Sequence, residues 1–306
     1  MELRVLKYFL TVAREENITK AANLLHITQP TLSRQLMQLE EELGIKLFQR
    51  GRHNIMLTEE GMLLRRRAQE IVDLTEKTEK ELVHGAETVS GEISIGCGET
   101  QNMKPLCEMI AAFQEKYPEV VFHIYTAIAD DVTERLENGV LDMGLLLEPV
   151  EISRYHFVRM PLEEKWQVLM RKDCPLAEKE RIGPSDLAEM PLIIARRQSV
   201  RNLLENWFGN VAEKLRIVST CNLSHINQSI MVESGIGVAL VMDFSCNDQT
   251  LCLRPLKPEI VSGSVLVWKK NQVLPPALTR FIDYMKTSLA LPTEGRRGEY
   301  DDRGGK

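Results

Sequence analysis

Short polar side chains and one arginine lie on both sides of Pro30 in the sequence. Gln and Arg are the residue types that form paired hydrogen bonds with adenine and guanine, whereas Ser and Thr hydroxyls more often hold phosphate groups. Leu32, Leu36 and Leu39 recur at helical spacing through the same segment, so one face is apolar and the other is polar. This pattern predicts a short helix whose outer face enters the major groove of DNA.

The neighbouring residues predict how this helix is held. An amphipathic helix is expected over 2–14, and a second begins near Thr19, which we expect to cap it. Thr28 is expected to cap the third helix, and Pro30 fits its first turn, where a missing N–H costs nothing. Gly44 is expected to end that helix in a left-handed conformation.

Two short apolar runs, 45–48 and 55–57, flank a polar tip that contains glycine, and they predict a hairpin wing beside the third helix. The cations of the wing are expected to touch the DNA backbone or the minor groove. Lys20, at the start of the second helix, has a weaker claim to a phosphate. The full set of DNA-contact candidates is Lys20, Thr28, Gln29, Pro30, Thr31, Ser33, Arg34, Gln38, Arg50 and Arg52.

A long helix is predicted from Thr58 to about residue 84. Side chains recur along it at alternating four- and three-residue steps, which is typical of a weak two-stranded coiled coil. The proposed dimerisation residues are Leu64, Ala68, Ile71, Thr75 and Leu82, with Thr78 on the same seam. The alternative is a helix that packs this face on its own domain.

The rest of the chain alternates between strand and helix patterns, which predicts parallel or mixed sheets covered by helices. Strands are expected at 92–96, 120–125, 142–147, 166–171, 192–195, 216–220, 238–241 and 265–268. The strands form two groups and therefore indicate two α/β lobes. The charged, glycine-rich residues 292–306 are expected to be a disordered tail.

These motifs together resemble the LysR-type transcriptional regulators over residues 2–290. The resemblance is carried by AANLLHITQPTLSRQ at 21–35, LEEELGIKLFQR at 39–50, LTEEG at 57–61, GVLDMG at 139–144 and ESGIGV at 233–238. Residues 127–129 (Ala-Ile-Ala) depart from the family pattern, which often has hydroxyl residues or glycine there.

The resemblance implies a winged helix-turn-helix over 1–58, a linker helix that forms the dimer over 59–87, and an effector-binding domain over 91–291. That last domain would resemble a periplasmic solute-binding protein, with lobe 1 at about 91–161 and 266–291 and lobe 2 at about 162–265. Family members usually assemble as homotetramers built from homodimers and respond to a small metabolite. From the third helix and the wing we expect a dimer to bind an inverted-repeat, double-stranded operator. RNA polymerase is left open as a further partner.

The effector is expected to bind where strands lead into helices between the lobes. Free N–H groups and the helix dipole make such helix starts suited to anions. The candidates are Thr100, Gln101, Ser199, Thr220 and Asn222. Arg196, Arg197 and Arg201 favour an anionic effector, unless they are an ordinary surface run. Thr100 and Ser199 could equally be plain helix caps.

Other classes of function are disfavoured by the sequence. It has no hydrolase, zinc-protease or phosphate-loop motif, so an enzyme is not expected, and neither a metal nor a cofactor is implied. No stretch is apolar enough for a membrane helix, and the start of the chain lacks a signal-peptide pattern, so a cytoplasmic location is expected. A solute-binding transport protein is the alternative for the second half alone. A redox sensor that uses Cys97 and Cys221 remains a variant of the regulator.

Overall fold

The computed structural model describes residues 1–50, 55–83, 89–222, 224–242 and 249–290. The chain divides near residue 85 into two compact units. The predicted disordered tail and the wing residue Arg52 lie outside the described residues, as do the side chains of Arg50 and Leu82.

The first unit is a helical domain with a two-stranded wing. Its elements are α1 (Leu3–Glu15), α2 (Ile18–Leu24), α3 (Gln29–Leu43), β1 (Phe48–Arg50), β2 (Ile55–Leu57) and α4 (Glu59–Val83). The two strands are antiparallel, with Phe48 opposite Leu57. A single core that includes Phe9, Leu32 and Leu36 holds the helices together, so the helix-turn-helix and the wing are confirmed.

Local sequence explains where the helices of this unit begin and end. The Thr28 hydroxyl accepts a hydrogen bond from the Thr31 N–H, and Gly44 ends α3 with φ +68°, as predicted. The prediction for Thr19 was wrong. Asn17 caps α2 instead, because its side chain accepts the Lys20 N–H and leaves Thr19 inside the helix.

The second unit contains the α/β elements. They are β3 (Gly91–Cys97), α5 (Met103–Lys116), β4 (Val120–Thr126), α6 (Ala129–Glu137), β5 (Met143–Leu147), β6 (Tyr155–Arg159), β7 (Glu164–Arg171), α7 (Pro184–Leu187), β8 (Pro191–Ala195), α8 (Gln198–Phe208), β9 (Arg216–Cys221), α9 (His225–Glu233), β10 (Val238–Met242), β11 (Leu251–Pro255), β12 (Val261–Ser262), β13 (Ser264–Lys269) and α10 (Pro276–Ala290). Short 3₁₀ turns cover 175–178 and 209–214.

Lobe 1 is built on a five-stranded sheet in the order β4-β3-β5-β13-β6. The first three of these strands are parallel, and β13 and β6 each run antiparallel to their neighbour. Strand β13 returns to this sheet at Ser264, two residues before the expected start of the returning segment. Phe113 on α5 and Phe281 on α10 pack edge to face in the core against this sheet.

Lobe 2 is built on a mixed sheet in the order β11-β7-β10-β8-β9, with the short β12 paired to β7. Strands β8, β9 and β10 are parallel, while β7 runs antiparallel to both of its neighbours, β10 and β11. The sequence patterns did not predict β6 and β11. In both lobes the parallel strands lead into helices at one edge of the sheet, and the candidate effector residues lie at or just after the strand ends on that edge.

Candidate nucleic-acid interface and interlobe cavity

The outer face of α3 carries the polar residues that the sequence predicted. Gln29, Arg34 and Gln38 are exposed, while Leu32 and Leu36 are buried in the core. The Gln29 amide donates to the Ser33 hydroxyl at 2.9 Å, so these two side chains hold each other. Among the described residues Arg34 has no ion-pair partner. Its guanidinium is therefore the most available cation on this face.

The first turn of α3 uses its hydroxyls locally. Besides the backbone cap, the Thr28 and Thr31 hydroxyls lie 2.8 Å apart and form a hydrogen bond. Pro30 sits in the same turn, where its missing N–H leaves no helix bond unmade. These three residues are exposed and close to the proposed groove face, but their geometry is explained by how the helix starts.

Glu40 fixes the wing to the end of α3, a role that the sequence reasoning missed. Its Oε1 accepts the backbone N–H groups of Leu47 at 2.8 Å and Phe48 at 3.2 Å, and its Oε2 accepts Lys46 Nζ at 2.7 Å. Burial alone would raise the pKa of Glu40, but these hydrogen bonds outweigh burial and hold the pKa below its ordinary value. The carboxylate therefore sets where β1 leaves the recognition helix.

Lys20 is already paired within the domain. Its ammonium lies 2.7 Å from Glu15 Oε2, and the Arg14 Nε lies 3.0 Å from Glu15 Oε1. The hydrogen bond from Lys20, and then that from Arg14, lower the pKa of Glu15. A phosphate near Lys20 would compete with this carboxylate.

Helix α4 has two different faces. Ala68 is fully buried in the core of its own unit, so assigning it to a dimer seam was wrong, and Leu64 packs partly against the same core. The alternative of packing on the same domain holds for this face. A second stripe remains exposed, with Leu63 at 56%, Ile71 at 40% and Leu74 at 40% accessible.

A cavity of about 300 Å³ lies between the two lobes, where strands β3, β8 and β9 end. Its apolar wall includes Ala127, Ile128, Ala129, Leu145, Val200 and Met242. Its polar groups include Glu99, Thr100, Arg196, Arg197, Asn222 and Asn227. The Ala-Ile-Ala segment that departs from the family pattern thus forms part of the apolar wall.

Two of the five predicted effector residues, Thr100 and Asn222, line this cavity. Thr220 does not, because its strand neighbour Cys221 does, and successive side chains of a strand point to opposite faces. Ser199 also does not, since Arg197 and Val200 face the cavity and Ser199 lies on another side of the helix start. Gln101 lines an open groove that adjoins the cavity.

The predicted anion site before α5 holds a carboxylate of the chain itself. Glu164, which is only 1% exposed, accepts hydrogen bonds from the Thr100 hydroxyl and, at 2.9 Å, from the Gln101 N–H. The buried Asn102 side chain bonds both the N–H and the carbonyl oxygen of Leu162. Sequence reasoning missed Glu164 and Asn102, which tie this loop to the segment that enters lobe 2.

Two further links cross between the lobes. Glu99 accepts the His225 N–H at 2.7 Å and the Ser224 hydroxyl at 3.2 Å. Arg197 donates to Asp130 at 3.1 Å and to the Leu147 carbonyl oxygen at 3.3 Å. Of the three arginines predicted to favour an anion, Arg197 is thus committed within the protein. Arg201 lies 3.6 Å from Glu205, so Arg196 alone has no ion-pair partner within the described ranges.

The two candidate redox cysteines lie at strand ends, as expected. Burial raises the pKa of the Cys97 thiol, and burial also raises the pKa of Cys221. The thiolate is the reactive form, so both environments disfavour reaction with an oxidant. The geometry gives no support to the redox variant.

Among the described residues no three His, Cys, Asp or Glu side chains are grouped as metal ligands would be. No helix in the described ranges has the length and hydropathy required to cross a membrane.

Comparison with protein families identifies the class of this chain. Residues 3–62 match the bacterial regulatory helix-turn-helix protein, lysR family, and residues 86–290 match the LysR substrate binding domain. The chain belongs to the LysR family and is a DNA-binding transcriptional regulator with a substrate-binding domain, as the sequence indicated.

Individual relatives are similar over nearly the whole length. The Hca operon transcriptional activator HcaR of Escherichia coli (strain K12) is 27% identical over 301 residues, which cover 96% of this chain and all of that protein. The regulator BsdA of Bacillus subtilis (strain 168) is 28% identical over 291 residues, covering 92% and 99%. These relatives are regulators and not enzymes.

Solved structures give the same fold. CbnR, a LysR family transcriptional regulator, matches with a TM-score of 0.72 at 21% identity over 94% of this chain and 99% of its own. Full-length CbnR complexed with its target DNA matches with a TM-score of 0.70 at 21% identity, over 94% of this chain and all of that chain.

Proposed function

We propose that this regulator binds an inverted-repeat operator through the outer face of α3 and responds to a small anionic effector bound between the lobes of its second unit. A regulator that binds promoter DNA is expected to act in the cytoplasm, where the chromosome lies, with RNA polymerase as a further partner. The observation that carries the effector proposal is the interlobe cavity, which joins an apolar wall to the cation Arg196. Its volume is at the lower end of the about 300–1,000 Å³ typical of small-molecule sites.

Arg34 is the DNA contact with the most direct support, because it is exposed on the groove face and unpaired in the described part of the chain. If it reads a guanine, Arg34→Ala should cost about 1–3 kcal/mol against the operator and relax the preference at one base position. If it holds a phosphate, binding should weaken on all sequences alike.

Arg66→Ala is the matched control, since Arg66 is an exposed cation on α4. Fluorescence anisotropy with operator DNA and with a scrambled duplex measures both affinities. An Arg34→Ala protein that binds the operator as tightly as Arg66→Ala would remove Arg34 from the interface.

We propose that the dimer uses the exposed stripe of α4, with Leu63, Ile71 and Leu74 in place of Leu64 and Ala68. Thr75 and Thr78 remain on the adjoining part of the seam. Three large apolar side chains along one helix face are costly to leave in water, which supports a partner helix there. A dimer would place two copies of α3 about 34–36 Å apart on an inverted repeat, and pairs of dimers would form the tetramer.

The effector proposal is tested by thermal denaturation of the full chain with small carboxylates, phosphates and neutral analogues. Trp166, Trp207 and Trp268 all lie in the second unit, so tryptophan emission reports the effector domain. A true effector at about 100 times its Kd should stabilise this unit by about 2.7 kcal/mol.

Arg196→Gln should abolish the response to a carboxylate and keep any response to a neutral ligand. Stabilisation of parent and Arg196→Gln to the same degree by the same carboxylate would show that the negative charge is bound elsewhere.

A further inference from the structure

The cavity between the lobes is bordered by a carboxylate that belongs to one lobe and caps a helix of the other. Glu99 follows β3 in lobe 1, and it accepts the first N–H of α9 in lobe 2. Ser224 stands at the N-cap position of this nine-residue helix, yet its side chain makes no cap within the helix. Its hydroxyl donates to Glu99 instead. Helix α9 is therefore capped across the cleft.

The position of Glu99 follows from helix physics. The first N–H groups of a helix have no partner inside it, and the helix dipole favours negative charge beside them. An effector carboxylate entering the cavity would be attracted to the same place. Glu99 thus competes for the site with any anionic ligand.

Arg197 forms the second link, at the start of α8. It joins lobe 2 to the Asp130 carboxylate of α6 and to the carbonyl oxygen that ends β5, both in lobe 1. Glu99 and Arg197 both line the cavity. Opening the lobes must break both links.

We propose that Glu99 and Arg197 form an interlobe latch, and that an anionic effector acts by displacing Glu99 from α9. This inference rests on the proposed function of the cavity as the effector site. A ligand that must displace a carboxylate of the protein binds more weakly than it would to an empty site. Its apparent affinity is reduced in proportion to the fraction of molecules in which Glu99 has already left α9. Glu99 then sets both the strength of anion binding and how the lobes respond.

The first experiment needs no effector. Hydrogen exchange of the His225 amide, followed in peptides that begin several residues before Ser224, is measured in the full-length parent, Glu99→Ala, Glu99→Gln and the control Glu115→Ala, an exposed residue of α5. Exchange of the His225 amide should rise by about tenfold in Glu99→Ala, the order expected when a charge-assisted hydrogen bond is lost. Glu99→Gln, which keeps an acceptor without the charge, should be intermediate. Exchange in Glu99→Ala equal to that of the control would overturn the latch.

The second experiment uses sodium acetate as a free carboxylate, with sodium chloride at equal ionic strength as control. Acetate should restore slow exchange at His225 in Glu99→Ala and leave the parent unchanged. Acetate should also bind Glu99→Ala about tenfold more tightly than the parent in calorimetry, because the competitor is gone. Weaker binding by Glu99→Ala, or no rescue by acetate, would overturn the displacement.

These results separate the latch from the proposed function. If no carboxylate of the screen stabilises the parent while Glu99→Ala still exposes the His225 amide and acetate still protects it, the latch stands and the effector assignment fails.

Discussion

Replacing Glu40 by glutamine tests whether one carboxylate holds the wing to the recognition helix. Glutamine keeps an acceptor oxygen where Oε1 receives the Leu47 and Phe48 N–H groups. It loses the negative charge and turns an NH₂ group toward the Lys46 ammonium, which lies 2.7 Å from Oε2. Alanine removes the acceptor altogether.

The cost follows from the bonds. Hydrogen bonds to charged groups are worth about 1.5–3 kcal/mol and neutral ones about 0.5–1.5 kcal/mol, so weakening two of them in Glu40→Gln should cost about 2–3 kcal/mol. In Glu40→Ala the N–H groups of the fully buried Leu47 and of Phe48 would lack an acceptor. At about 1–3 kcal/mol for each N–H group, the cost in Glu40→Ala is about 2–6 kcal/mol. The exposed Lys46 adds little to either value.

Hydrogen exchange over 45–50 in the full chain measures this local stability. Glu40→Gln should raise exchange by about 30–150-fold, the ratio that about 2–3 kcal/mol produces. Tryptophan emission should not change, because all three tryptophans lie in the second unit. Operator affinity should fall with the loss of wing order.

The pH dependence gives an independent check. The folded pKa of Glu40 lies below its ordinary value of 4.5, so its contribution is present above that pH and is lost as the pH falls through the folded pKa. The difference between parent and Glu40→Gln should therefore be full at neutral pH and shrink in acid.

Glu41→Gln is the control, an exposed carboxylate on the same helix. Equal exchange in Glu40→Gln and Glu41→Gln at neutral pH would refute the reasoning.

Two further predictions concern the linker helix and the effector domain. Ile71→Asp should abolish the dimer and operator binding together, because it would bury a charge in the interface. Met62 is an exposed apolar residue on the opposite side of α4, so Met62→Asp should leave the dimer intact. Light scattering measures the size of both variants, and a dimer that survives Ile71→Asp would show that the interface does not include Ile71. Thr100→Val removes one donor from the buried Glu164 and should destabilise the second unit by about 1–3 kcal/mol while operator binding stays intact. Urea denaturation followed by tryptophan emission measures this loss, and an unchanged midpoint would mean that the Gln101 N–H satisfies Glu164 without the hydroxyl.

The recognition helix could be predicted because its signals are local. A capping threonine, a first-turn proline, leucines at helical spacing and a terminal glycine all lie within 17 residues of one another, from Thr28 to Gly44. Asn17 was missed because two polar residues stood near the same helix start, and only the backbone conformation decides which of them caps.

The position of the cleft could be predicted from the sequence, but the contacts within it could not. Strand and helix patterns put Thr100 and Asn222 at the correct edge, since parallel strands end together. Glu164 lies 64 residues from Thr100 and Glu99 lies 126 residues from His225, and no periodic pattern records such pairs. The assignment of Ala68 to the dimer seam was wrong for a related reason. A heptad pattern shows which face of a helix is apolar, but it does not show which partner covers that face.

The pairing of Lys20 with Glu15 changes how DNA affinity should be interpreted. The slope of affinity against salt concentration reports the net number of ions released when protein cations bind DNA phosphates. If Lys20 binds a phosphate, as we propose, it must give up its pairing with Glu15, which then keeps only Arg14 as a partner and attracts a further cation from solution. One counterion would then be taken up as another leaves. In that case the slope of affinity against salt should undercount the phosphates that this regulator contacts.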